Sequence, residues 1–458
     1  MRSTLAALLA LLLLLPLAAC TDAAFVAPSR PEPVAAPPTE RPRPVAWRLA
    51  RQGGIEGYAD EVSVLPGQSF RLRVSTTAPR FTVRAFRMGA RAAQVWVSQP
   101  VKGVRQPPAR TVGGMVTAAH WKPSLTVDTT GWAEGAYLLR LEAAGGGQRF
   151  VPVTVRSASA RGRVVIVNAV TTWQAYNRWG GRNLYTGPGG FADRSRRVSF
   201  DRPYDTNGAR LFLDLEQDAI EVAERSGVPL AYLTNLDLTP KALEGARAIV
   251  SLGHDEYWTP GMRAAVTGAR DKGANLAFLG ANAVYWRIST DDRIVECDKE
   301  SRCRLWRESK PESTLVGQMY DCFPAEAAYE VSRPSHWIFD GTRGRRFPGL
   351  AGVETDRVSR GSPPNVRVLA ESPVNCGGRA TVSHSTFYVA PSGAGVFASG
   401  TMRWVCGMRG RRCGHGVTDA AAAFTRRATT NLLVRFAKGP VGGPGGAGTV
   451  RRAGAAAP

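Results

Sequence analysis

With 458 residues, 44% of them hydrophobic and 8% aromatic, the chain has the composition of an ordinary globular protein long enough for two or three domains. Its net charge of +22 is scattered arginine, with no lysine-rich run and no zinc-finger spacing, which argues against specific nucleic-acid recognition. What the charge leaves is an unspecific attraction to anionic surfaces such as lipid headgroups or cell-wall polymers.

At the N-terminus, Arg2 precedes an apolar run over 5–19 that is too short to remain as a membrane span. It ends Leu17-Ala18-Ala19-Cys20, which looks like the lipobox of bacterial lipoproteins. The expectation is a signal peptide over 1–20, lipidation of Cys20, export, and anchoring to the cell envelope. Residues 21–46 are Pro- and Ala-rich and read as an extended tether. Over 47–157, short alternating runs such as 70–74, 81–86 and 137–141 predict a β-sandwich of about seven strands.

From 158 to 438 the pattern becomes strands alternating with helices, which predicts a parallel sheet covered on both faces. Strands are expected at 164–167, 230–233, 246–250 and 275–279. Helices are expected at 211–226, 241–243, 262–272 and 420–438, and the Gly/Pro/Ala tail 439–458 reads as disordered. Beyond Ala283 the pattern dissolves into cysteine-bearing insertions with some β character.

Without Cys20, six cysteines remain, an even number in an oxidising compartment. The two local loops Cys297–Cys303 and Cys406–Cys413 are the expected disulfides, which leaves Cys322 for Cys376. No pair has zinc or redox spacing, and paired cysteines cannot serve as nucleophiles.

Three stretches concentrate polar and aromatic residues just after predicted strands: 171–181, 251–258 (SLGHDEYW) and 278–283. Taken singly, each could be a solvated turn. Together they carry Trp173, Trp179 and Trp258, with Trp286 just beyond, which are costly to expose, so they predict a cleft at one edge of the sheet. The third stretch has the strand–Gly–x–X–x layout of a nucleophile elbow, but X is Asn282, which can orient a substrate or donate to an oxyanion and cannot attack.

TWQAYNRWGG, GHDEYW and FLGANAVYWR resemble the large subunit of N,N-dimethylformamidase and its relatives. The resemblance spans about 47–438. It implies an α/β fold with an N-terminal all-β domain: a sandwich, then a flavodoxin-like sheet similar to class I glutamine amidotransferases with the usual Cys replaced. It also implies hydrolysis of a small amide by a mononuclear Fe3+ held by two tyrosines and a glutamate. By motif these fall on Tyr176, Glu256 and Tyr137, with Asn282 on the substrate side and Glu354 as catalytic carboxylate. A small partner subunit, or a homo-oligomer, is implied too.

The chemistry is coherent by itself. Two phenolates and a carboxylate are hard donors with three negative charges, and a trivalent cation is what would deprotonate phenols at neutral pH. His254 is expected to orient a neighbour. His336 could reach the cleft, whereas His120, His384 and His415 read as surface or core residues. Tyr137 also fits a sandwich-core tyrosine of the corner type. The rival reading is a non-catalytic surface lipoprotein whose aromatic cleft holds a glycan or peptide.

Overall fold

Alternation along Phe70-Arg71-Leu72-Arg73-Val74 sends every second side chain to one side of a strand. In the computed structural model, which describes residues 46–301 and 303–442, strand Ser69–Thr76 buries Phe70, Leu72 and Val74 and exposes Arg71. It belongs to a sheet of three strands that packs on a sheet of six, over a core that includes Phe81, Trp132, Leu139 and Val153. More strands form than the sequence predicts, because pieces such as Ser63–Val64 and Val101–Lys102 are too short to leave a period. The signal peptide with Cys20, the tether up to 45 and the tail from 443 lie outside the described residues.

The second layered region is built on continuous apolar runs. Strands β1 (Val164–Asn168), β2 (Leu230–Thr234), β3 (Ala248–Gly253) and β4 (Asn275–Gly280) are almost wholly buried. Both their faces are covered. Val164 and Ile166 pack into one apolar cluster with α2 (Gln217–Arg225) and α4 (Asp419–Phe436). Val165 and Val167 pack into another with α3 (Pro260–Asp271). With β5 (Arg367–Cys376), β6 (Arg379–Val389) and β7 (Gly395–Ala398), the seven strands stand in the order β2-β1-β3-β4-β7-β6-β5. The first five of that order run parallel, and β6 and β5 continue the sheet antiparallel.

The expected helix over 211–226 is interrupted. Glu216 leaves helical backbone (φ −131°, ψ −40°) and separates Arg210–Leu215 from α2. Its carboxylate turns inward, where it accepts from Asn168 Nδ2 (2.6 Å), the Trp173 indole (2.8 Å) and the Ala169 amide (3.1 Å). Residues 241–243 form a turn instead of a helix. The three disulfides are Cys297–Cys303, Cys322–Cys376 and Cys406–Cys413. The second ties β5 to a long antiparallel pair, Met319–Glu330 with Arg346–Arg357, that closes over the sheet's carboxyl edge.

Candidate active site

All three polar stretches follow adjacent parallel strands, β1, β3 and β4, so they share the carboxyl edge of the sheet. β3 and β4 end in Gly253 and Gly280 at extreme proximity: a Cβ on Gly280 would lie 1.5 Å from the Gly253 carbonyl oxygen. Only glycine there lets the two chains diverge into the loops that carry 254–258 and 281–287.

The 254–258 loop is held from α1 (Val170–Tyr176). Thr171 donates to the Tyr257 carbonyl (2.8 Å), and Thr172 accepts from the Glu256 amide (3.1 Å). Asp255 is buried and accepts from Ser251 (3.0 Å) and Asn235 (3.2 Å), so it braces the turn. Burial pushes its carboxyl up to about 6 against those hydrogen bonds.

Glu256 is the centre of the cluster. Tyr176 donates to its Oε2 at 2.8 Å, and Tyr185 reaches Oε1 at 2.8 Å and Oε2 at 3.1 Å. The two phenol oxygens are 3.0 Å apart, their rings stack at 4.6 Å, and Tyr257 adds a third hydroxyl 2.6 Å from that of Tyr185. Burial, followed by the charge of Glu256, pushes Tyr176, Tyr185 and Tyr257 well above the ordinary phenol value. Burial likewise raises Glu256. Left to themselves these oxygens keep their protons and bond to one another.

Tyr185 reaches this place because the loop after α1 is rigid. The buried Arg202 guanidinium donates to the carbonyls of Gln174, Asn177, Trp179 and Arg182. Asn183 then turns the chain: its Nδ2 donates to the Tyr176 carbonyl (2.9 Å) and its Oδ1 accepts from the amides of Tyr185 (2.8 Å) and Thr186 (2.9 Å). Tyr185 was not singled out in the sequence. The available signal was Asn183, a turn-forming residue two positions before it.

His254 Nε2 lies 3.4 Å from Glu256 Oε2 and 3.3 Å from Glu354 Oε2. Burial opposes its charge, but Glu354 and Glu256 outweigh burial and push the imidazole up to about 9, so it is a cation at neutral pH. Glu354 comes from Arg346–Arg357, and its Oε2 is buried without a hydrogen-bond partner among the described residues. Asn282 stands in left-handed backbone (φ 57°) after β4; its amide donates to Asp356 (2.9 Å), and its Oδ1 is buried without a partner among the described residues. The sequence-predicted Tyr176, Glu256, His254 and Glu354 therefore meet at one place, with Asn282 tied to Asp356, two residues beyond Glu354.

Tyr137 does not join them, and the expectation of a metal ligand there is corrected. It lies in the sandwich core, its ring stacked on Trp132 at 4.9 Å and its hydroxyl donated to the Ala133 carbonyl at 2.6 Å. The position of the second phenol is filled by Tyr185. His336 is also elsewhere, packed against Trp337 and Phe387.

Opposite the carboxylates sits Lys299, from the Cys297–Cys303 loop. Its ammonium is 3.3 Å from the Tyr185 ring centre, 4.5 Å from that of Trp286 and 5.7 Å from that of Tyr257. Burial lowers this amine to about 7, partly offset by Glu256.

Among the described residues no group of three His, Cys, Asp or Glu side chains has metal-binding geometry, so a cation at this point would rest on the phenols. No helix among them is long and apolar enough to cross a membrane.

A family model described as N,N-dimethylformamidase beta subunit-like, C-terminal, matches residues 82–419. No curated protein matches the chain. Among solved structures, a ThuA-like protein from Bacteroides uniformis is 12% identical, with 61% of this chain and 93% of that one covered, at a TM-score of 0.33. A cytoplasmic protein from Salmonella typhimurium is 11% identical, with 47% and 85% covered, at a TM-score of 0.28. Likenesses at these scores carry no argument.

Proposed function

From the premise that the chain belongs to the N,N-dimethylformamidase beta subunit-like family, we propose that it hydrolyses the C–N bond of a small amide at the Tyr176–Tyr185–Glu256 cluster. The observation that carries this reading is the convergence of two phenol oxygens and one carboxylate with separations of 2.8–3.1 Å. Three oxygens gathered this closely, two phenolic and one carboxylate, would serve together as donors to one small hard cation. Their chemistry also fits iron, since three hard oxygens able to carry three negative charges match a trivalent ion.

A bound iron would supply a Lewis acid for the amide carbonyl and a more acidic water. The chain's own residues do the rest. Tyr176, Tyr185 and Glu256 would hold the ion, and His254, 3.4 Å from Glu256 and 3.3 Å from Glu354, keeps the two carboxylates facing the same point. Glu354 Oε2, unengaged by other hydrogen bonds, receives a proton from the attacking water and returns it to the departing nitrogen. Asn282 Oδ1 orients the amide. The buried Tyr257 ring, beside the partly buried Trp286, keeps water from one side of the cluster, which strengthens each of these interactions.

The strand order also supports a flavodoxin-like sheet of the class I glutamine amidotransferase kind, with Asn282 where a nucleophile would stand. Export with a lipid on Cys20 and assembly with a small partner subunit belong to the same reading.

The test is metal analysis and amine release from simple formamides, in the purified chain and in Glu256→Ala. The reading expects about one iron per chain and amine release, with both lost in the variant. Equal iron in both proteins would sink it, as would an iron-loaded chain that releases no amine.

A further inference from the structure

The Cys297–Cys303 loop is built to deliver one side chain inward. Both cysteines are buried, and Asp298 folds the loop by accepting from the Glu300 amide (3.2 Å) and the Ser301 hydroxyl (2.7 Å). The acids of the loop are neutralised from outside: Glu300 pairs with Arg194 and Arg196 at 2.9 Å each, and Asp298 with Arg196 at 3.3 Å. Neither is left for Lys299.

The Lys299 ammonium, enclosed by Tyr185, Trp286 and Tyr257, has no hydrogen-bond partner among the described residues, and neither has the buried indole N–H of Trp286 beside it. The indole N–H, and Lys299 in its ammonium form, are donors only. A buried ammonium without an acceptor is costly, and rings that attract its charge do not satisfy its N–H groups. Elsewhere in the cluster Asn282 Oδ1 is a buried acceptor without a partner among the described residues, while Glu354 Oε2 faces His254 Nε2 at 3.3 Å. The site thus has unanswered donors at Lys299 and Trp286 and an unanswered acceptor at Asn282. Glu256, bonded by Tyr176 and Tyr185, offsets the charge of Lys299 through space but makes no hydrogen bond to it.

The geometry points to an amide that carries a carboxylate, received by Lys299 Nζ and Trp286 Nε1, with its amide N–H turned toward Asn282. Such a substrate resembles an N-acyl amino acid, not a neutral tertiary amide, which has no N–H to donate. This inference rests on the amidase reading for turnover and on Lys299 alone for binding.

Calorimetric titration with N-acetylglycine and with neutral N-methylacetamide separates the two. The purified chain is expected to prefer the carboxylate by on the order of 100-fold, and that ratio should collapse in K299Q, fall less in W286F and survive in K299R. Thermal melting of each variant verifies that it is folded. No preference in the unmodified chain, or a preference undiminished in folded K299Q, overturns the inference. Amine release is read in parallel: Lys299-dependent binding without turnover overturns the amidase reading and leaves this one. Turnover of the neutral amide with no preference does the reverse.

Discussion

Tyr137 is a buried phenol and Tyr185 a partly buried one, and both sit near a second aromatic ring. In the sandwich, Tyr137 stacks on Trp132 and gives its proton to the Ala133 carbonyl four residues back. At the sheet edge, Tyr185 stacks on Tyr176 and shares protons with a carboxylate and two other phenols. Burial pushes Tyr137 up to about 12 and Tyr185 well above the ordinary value, so burial alone does not separate them. What separates them is the partner. A main-chain carbonyl leaves no anion to compensate, so the hydroxyl of Tyr137 is a structural bond. Around Tyr185 the partners are a carboxylate and two other phenols, the donor set on which the proposed cation site rests.

The contrast breaks most violently at Glu256. Glu256→Gln removes the anion on which both phenols converge, and amide hydrolysis should fall by on the order of 1,000-fold, read as kcat/KM for amine release. Asn183→Ala probes what aims Tyr185; iron affinity should weaken by about 10-fold, measured by competition with a chelator, while Tyr176 and Glu256 are untouched.

Glu216 tests the scaffold beneath. Glu216→Leu leaves Asn168, the Ala169 amide and the Trp173 indole without an acceptor, at a cost of about 2–4 kcal/mol in denaturant unfolding. Its titration has a definite sign. Burial outweighs those three hydrogen bonds and pushes the carboxyl up from 4.5 to about 8, so the unfolded chain releases its proton first. The stability Glu216 contributes is complete below about pH 4.5 and is lost as pH rises toward 8. Glu216→Gln should flatten that part of the pH–stability curve. The smallest effect belongs to Tyr137→Phe, about 1 kcal/mol of stability for one hydrogen bond, with iron content unchanged.

Much of this frame was legible in the sequence where local rules act alone. Strands β1 to β4 are continuous apolar runs, Thr259-Pro260 announces α3 with a cap and a first-turn proline, and the three motifs follow their strands at one edge. The long antiparallel strands were not legible. Pro324 and Pro373 sit inside them and the pairing shifts register repeatedly, which erases the period of two. Tyr185 was hidden for another reason: its aim depends on Arg202 and Asn183 gathering carbonyls across a loop, and no period encodes that. Tyr137 misled because its motif stands beside the sheet in sequence while its hydroxyl is claimed by Ala133 in space.

The claim that Tyr176, Tyr185 and Glu256 form a cation site is tested most directly by iron content, with phenolate-to-iron visible absorption, in Tyr185→Phe and Tyr137→Phe purified side by side. The account predicts that Tyr185→Phe loses iron and colour and that Tyr137→Phe keeps both. Iron retained without Tyr185 and lost without Tyr137 would contradict it.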